Sequence, residues 1–391
     1  MPKPALCVLL GGLALAGGAF AAPPSSLPPL PYDAGPEPFV ERLESDRPTN
    51  WVLNQMEIGA RAFWRGDYTL AKSALDDAIQ RIDAVFSDSE SAAKARRLWY
   101  DEGSKDFKGE PYERAMVFLY RGLIFLRDGD YENARAAFRR GQLQDAFAEE
   151  DQNRSDFAAL VFLEAWASHL NRDLDLSQEA LAQLKRLRPD FGGFAEKDDT
   201  LVFAETGLAP RKLGDGASHS YFVYRRGKPI GENQVQVVNG AAAMQAYPIE
   251  DIYYQASTRG GREIDKILQG KAQFKATTGG VGSFLADTSV TLSSVGAALD
   301  AGGQFGDAMA AVGAVSGVLL IVSSSTKPQA DVRTWSSLPD TVHVFTLAGG
   351  VPTPPLTARF LKSGTPLEGA EKPLRCETDP NRKTLCLVRA H

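Results

Sequence analysis

Apolar residues from Trp51 onward recur at helical spacing, and the pattern repeats itself: Gly66-Asp67-Tyr68 returns as Gly129-Asp130-Tyr131. With the two turns aligned, Gly59 matches Gly122, Ala71 matches Ala134, Leu75 matches Phe138 and Ala78 falls opposite Gly141. A degenerate third copy covers residues 156–189, with Asn171-Arg172-Asp173 at its turn and Arg188-Pro189 at its end. One helix pair cannot bury its apolar face alone, and about three stacked units are the usual minimum for stability. The copies are not contiguous. An extra helix is expected around 92–100, then a loop closing onto a helix that opens near Pro111, an acceptable first-turn proline.

Beyond Phe191-Gly192-Gly193 the period changes. Short β-branched or aromatic runs at 201–204, 220–224, 235–238, 341–347 and 357–361 are bounded by Gly, Pro or Asp and predict strands. Among them lies a segment of another character, about 279–326, made of Ala, Gly, Ser, Val and Leu. It reads as a helical hairpin turning at Gly302-Gly303-Gln304-Phe305-Gly306. No charge occurs between Asp307 and Lys327, a length that approaches a membrane span, and Gly313 and Gly317 would allow close helix approach in lipid. Small residues also pack tightly in soluble cores, and Asp287 and Asp300 would be costly at membrane depth. A buried hairpin, a membrane-associated one and an interface with another chain all stay open.

Upstream, residues 22–50 carry eight prolines and read as an extended tether that builds no core. Residues 1–21 read as a cleavable secretion signal: Lys3, an apolar stretch from Leu6 to Leu15, and Ala19-Phe20-Ala21 before the cut. Cys7 has too little apolar chain before it to be a lipidation site. Export changes how the remaining cysteines read. Cys376 and Cys386 flank turn-forming Asp379-Pro380-Asn381, and folding about Asn381 sets them opposite one another across a hairpin, so a disulfide is expected. The net charge of -6, one unit more negative without the leader, and the lack of a basic run argue against nucleic acid.

The spacing in the helical part resembles the tetratricopeptide repeat, in which small residues let paired helices cross closely and a bulky one fills the groove. Phe118, Gly122, Phe125, Ala134 and Phe138 carry that pattern best. Three further stretches add to the likeness: Lys108-Gly109-Glu110-Pro111-Tyr112-Glu113-Arg114, Glu205-Thr206-Gly207-Leu208-Ala209-Pro210, and Asp331-Val332-Arg333-Thr334-Trp335-Ser336-Ser337-Leu338-Pro339. Over about 50–350 the chain resembles a family of uncharacterised exported bacterial tetratricopeptide-repeat proteins, many of them predicted outer-membrane lipoproteins. The resemblance implies no catalytic residues, and this leader lacks the lipid-accepting cysteine. Asp331, Arg333 and Trp335 alternate onto one face of an extended segment, where an indole beside a guanidinium suits a cation–π contact, either as internal packing or as a ligand-facing patch.

The four histidines, His169, His219, His343 and His391, show no metal-ligand spacing. Ser324-Ser325-Thr326-Lys327 lacks the partner motifs of penicillin-binding enzymes, Gly280-Val281-Gly282 lacks a third glycine, and the acidic run at 149–153 lacks the turn glycine of a calcium loop. The expected fold is therefore α+β. A tetratricopeptide-like α-solenoid (51–196) precedes a β-rich domain (197–391) with the Gly/Ala hairpin embedded. Gly59, Ala71, Ala78, Gly122, Ala134 and Phe138 pack the repeats. The expected function is a non-catalytic scaffold of the periplasm or the periplasmic face of the outer membrane, with no cofactor, holding an envelope protein or peptide in the solenoid groove. The alternatives are a membrane-associated assembly component using 279–326 and an envelope enzyme with a site in the β-rich part.

Overall fold

A computed structural model describes residues 30–31, 33–87, 106–145, 156–215, 221–227, 232–258, 331–350 and 355–391. The leader, the expected helix at 92–100 and the Gly/Ala hairpin lie outside these residues, as do His219 and the motif fragments at 149–153, 280–282 and 324–327. The architecture is mixed α+β. Among the described residues, six helices between Trp51 and Leu187 pair into three hairpins: α2 (Trp51–Arg65) with α3 (Tyr68–Ser87), α4 (Pro111–Asp128) with α5 (Tyr131–Asp145), and α6 (Ala158–Leu170) with α7 (Leu174–Leu187). Each hairpin packs on the next in chain order. A helix opens at Pro111 with a reciprocal cap between Glu110 and Glu113, two residues of the Lys108–Arg114 run.

The three hairpin turns share one hydrogen-bond pattern. The amides of Gly66, Gly129 and Arg172 reach back to the carbonyls of Phe63, Leu126 and His169, and those of Asp67, Asp130 and Asp173 reach Ala62, Phe125 and Ser168, at 2.9–3.1 Å. This is the Schellman arrangement, which needs a left-handed residue at the turn. Gly66 and Gly129 supply it at φ 87° and 76°, and Arg172 adopts it at 66°. Within the hairpins, an added Cβ on Gly59 would stand 2.6 Å from Leu75 Cδ2, and one on Gly122 2.7 Å from Phe138 Cδ1. Ala71, Ala78 and Ala134 are fully buried beside them. In the third hairpin the crossing is closed by Ser177 Oγ donating to the Ala165 carbonyl at 3.0 Å.

The stretch read as a tether holds a short helix, α1 (Glu37–Ser45), whose Phe39 is buried. The reason is positional. Pro36 and Pro38 sit at the start of α1, where helix amides have no intrahelical acceptor, so proline begins this helix instead of preventing it.

Five strands form one sheet in the order β10 (Arg375–Thr378), β11 (Thr384–Arg389), β1 (Thr200–Thr206), β7 (Thr341–Leu347), β6 (Tyr247–Asp251). β1 runs parallel to β11 and antiparallel to β7. A second sheet orders β5 (Ala242–Gln245), β4 (Gln234–Asn239), β8 (Thr357–Lys362), β9 (Thr365–Pro373); β2 (Arg211–Asp215) and β3 (Tyr221–Arg225) pair separately. A short helix, α8 (Ile252–Thr258), follows β6.

Strand alternation divides the interior. Leu201, Phe203, Leu385 and Leu387 join the core shared with the helices. Val202, Ala204, Cys386 and Val388 face the second sheet, meeting Val235, Val237, Ala358 and Phe360. The centre of the five-stranded sheet, β1 and β11, is thus buried on both faces, a middle layer between helices and second sheet. That explains why β1 is buried at every position and reads as a continuous apolar run. The helix core does not stop at residue 196. It continues through Phe203, Trp335 and Val344, and the described residues from Pro31 onward form one unit.

Candidate functional site

Across the layers, the helical stack grips polypeptide of its own chain, most regularly at its turns. Cys376 and Cys386 stand opposite one another in the β10–β11 hairpin and are disulfide-bonded. Period-two alternation turns these cysteines toward the second sheet, and Arg375 and Glu377 toward the helices. Arg375 donates from both terminal guanidinium nitrogens to the carbonyls of Trp64 and Phe63 at 2.7 and 3.0 Å, at the C-terminal end of α2 where the regular i→i+4 ladder has run out. Glu377 accepts the Tyr68 hydroxyl at 2.7 Å and Arg127 Nε at 2.6 Å. Asp379 accepts the Tyr131 hydroxyl, and Asn381 Nδ2 donates to the Gly129 carbonyl at 3.3 Å.

Tyr68 and Tyr131 are equivalent members of the Gly-Asp-Tyr repeat. They take carboxylates two residues apart in the hairpin. Burial, with the neighbouring Glu377, pushes the Tyr68 hydroxyl up to about 12, and burial with Asp379 raises Tyr131 likewise, so both remain donors. The turn glycines serve the same contact. A Cβ on Gly66 would stand 3.4 Å from Arg375 Nη1, and one on Gly129 3.0 Å from Asn381 Nδ2. Spacing alone marks Gly-Asp-Tyr only as a turn. The recurrence of its tyrosine, together with Glu377 and Asp379 between the cysteines, is the signal for this contact.

A second set of contacts runs along α2 and α4. Glu113 accepts the amides of Glu110 and Trp335, both at 2.7 Å, and the Thr334 hydroxyl at 3.2 Å. Glu57 accepts the Ser336 amide and hydroxyl, both at 2.6 Å, and Arg61 at 3.0 Å. Trp335 is fully buried, edge-on to Tyr120. Arg333 pairs with Asp331 and donates to Asn50 Oδ1 at 2.8 Å. Its guanidinium lies over Phe107 at 5.5 Å, and Trp335 turns away into the core. The expected shared face is therefore corrected. The run at 331–335 has no strand partner to enforce alternation, and burying the indole outweighs placing it on the guanidinium. This motif serves as an internal clamp.

Three glutamates are completely buried along the seam. Glu113, Glu205 and Glu250 are each pushed up to about 7 by burial, against the pull of Lys212, Arg389 and Arg188 respectively. Glu205 on β1 accepts the Tyr120 hydroxyl of α4 at 2.7 Å. Glu250 on β6 accepts the Ala159 amide in the first turn of α6 at 3.1 Å and Arg188 at 3.3 Å. On the opposite face of β1 and β7, His343 meets the Thr206 hydroxyl at 2.9 Å and is lowered to about 3 by burial. His169 Nε2 contacts the Asp198 carbonyl at 2.9 Å, and His391 pairs with Glu232 at 2.6 Å.

A cleft of about 790 Å³ opens between residues 33–37, the end of α2 and strands β9–β11. Its four arginines have local carboxylates: Arg65 with Glu37, Arg61 with Glu57 at 3.0 Å, Arg389 with Glu205 at 3.4 Å and Arg375 with Glu377 at 3.5 Å; Lys372 donates to the carbonyls of Arg389 and Ala390. Trp64, Leu387 and Val388 form its apolar wall. Among the described residues no three of His, Cys, Asp and Glu gather to hold a metal ion, and no helix is long and apolar enough to cross a membrane. No protein-family model, curated protein or solved structure matches this chain.

Proposed function

We propose that the protein is a non-catalytic scaffold of the bacterial cell envelope, exported by its leader and built on three tetratricopeptide-like helical hairpins. One observation carries this reading: equivalent side chains in successive hairpins, Tyr68 and Tyr131, hold successive alternate residues of an extended segment, Glu377 and Asp379. Stacked repeats bind polypeptide in this way, each unit adding one contact along the partner. The small residues at the helix crossings and the recurring turn geometry support the repeat assignment. The groove anticipated for a partner is different in kind. Helices α2, α4 and α6, nearly buried along their whole length, lie against the protein's own sheet and clamp segment. The partner surface accordingly moves to the outward sides of α5 and α7, where Leu143 and Leu174 are 62% and 49% exposed.

Photocrosslinking from within cells tests this. A crosslinker placed at Leu143 or Leu174 should capture a defined envelope protein that a crosslinker at Lys362, on the second sheet, does not. If the two faces capture the same mixture, or nothing, the scaffold reading fails.

A further inference from the structure

We propose that the β10–β11 hairpin is a thiol-sensitive latch: the Cys376–Cys386 disulfide holds an edge strand onto the first two turns of the helical stack, and its reduction releases them. Three observations converge on this.

The first is the strand's weak hold. β10 has four residues at the edge of the five-stranded sheet and, among the described residues, pairs only with β11. A strand this short gains little from its ladder, so a covalent tie across it matters more than one inside a broad sheet. The second is what the strand carries. Arg375, Glu377, Asp379 and Asn381 together contact Phe63, Trp64, Tyr68, Arg127, Gly129 and Tyr131, joining both turns to one hairpin.

The third is the control the molecule supplies. The third turn has the same backbone hydrogen bonds but replaces glycine with Arg172 and tyrosine with Leu174, and Leu174 is about half exposed. Glycine and tyrosine thus occur at the two turns the hairpin touches and not at the third. The Gly-Asp-Tyr form follows the contact, not the turn.

The chemistry is thiol–disulfide exchange with an external dithiol. Cys386 is fully buried and Cys376 is partly exposed, so attack falls on Cys376 Sγ. The reagent thiolate bonds to that sulfur, the S–S bond breaks, and Cys386 leaves as a thiolate that takes a proton. The reagent's second thiol then closes its own disulfide and expels Cys376, which takes the second proton. Two electrons and two protons pass from dithiol to protein.

Hydrogen exchange of the full chain, oxidised and in dithiothreitol, reads the latch directly. The reporters are the turn amides of Gly66, Asp67, Gly129 and Asp130, with those of Arg172 and Asp173 as the internal reference. Reduction should accelerate the first four by at least about tenfold and leave the other two unchanged. Equal acceleration at all three turns would mean general loosening and would overturn the proposal, as would no acceleration at any. In Tyr68→Phe/Tyr131→Phe, which keeps ring volume, the four amides should exchange faster even when oxidised, and dithiothreitol should add little. If reduction still adds its full effect there, the tyrosines do not transmit the latch and the proposal is overturned.

Discussion

The first two turns of the helical stack and the third solve one backbone problem with different residues. All three close with the same pair of hydrogen bonds, yet two use Gly-Asp-Tyr and the third uses Arg172-Asp173-Leu174. A left-handed residue is required at each, and Arg172 accepts the steric cost that glycine avoids. If turn geometry alone set the sequence, glycine would be expected at all three. What separates them is the neighbour: a disulfide-bonded hairpin lies on two turns and not on the third. A recurring turn motif can therefore record a tertiary contact as well as a local one.

Substitutions can break that comparison, beginning with those that test the stack itself. Gly122→Leu should lower stability by about 3 kcal/mol or more in chemical denaturation, since even a Cβ there meets Phe138. Gly59→Leu should do the same against Leu75. An unchanged midpoint in either would show that the hairpins do not cross where they are placed.

At the turns, Gly129→Ala should cost about 1–2 kcal/mol from backbone strain, and more as Asn381 and Asp379 are displaced. Arg172→Gly should instead be neutral or gain up to about 1 kcal/mol. Equal losses at the two positions would erase the distinction drawn above. Tyr131→Phe removes a hydrogen bond to a carboxylate and should cost about 1–2 kcal/mol, whereas Leu174→Ala on the exposed third turn should stay within about 0.5 kcal/mol.

The gentlest test is pH. Glu113, Glu205 and Glu250 have folded pKa values near 7, above their ordinary value of 4.5, so the folded state holds more protons than the unfolded one between these limits. Their contribution is fully present below about 4.5 and is lost as pH rises through 7. His343, lowered from 6.5 to about 3, works the other way: its contribution is present above 6.5 and fades as pH falls toward 3. With three carboxyls against one imidazole, the melting temperature should be higher near pH 5 than near pH 8. Glu205→Gln should flatten that slope. A melting temperature that rises steadily from pH 5 to pH 8 would contradict the buried seam.

Much of the architecture was legible from periodicity. The hairpin helices, the small residues at their crossings and the strands at 200–206, 221–225, 234–239, 341–347 and 357–362 follow from apolar spacing and turn residues close in the chain. The cysteine pair followed from symmetry about Asn381. Hidden were contacts between distant residues: Glu113 with Trp335, Glu205 with Tyr120, and Tyr131 with Asp379. The direction of Trp335 was hidden too, because an extended segment without a strand partner has no enforced alternation.

Residue order alone therefore determined the hairpin helices, the strongest strands and their local closure, since helix period, strand alternation and turn chemistry act over a few neighbouring residues. Tertiary structure decided which faces meet. It laid the five-stranded sheet over α2, α4 and α6, split β1 between two cores, and seated the C-terminal hairpin on two turns of three. Those outcomes depend on shape and desolvation across the whole molecule, and no short window of sequence contains both partners.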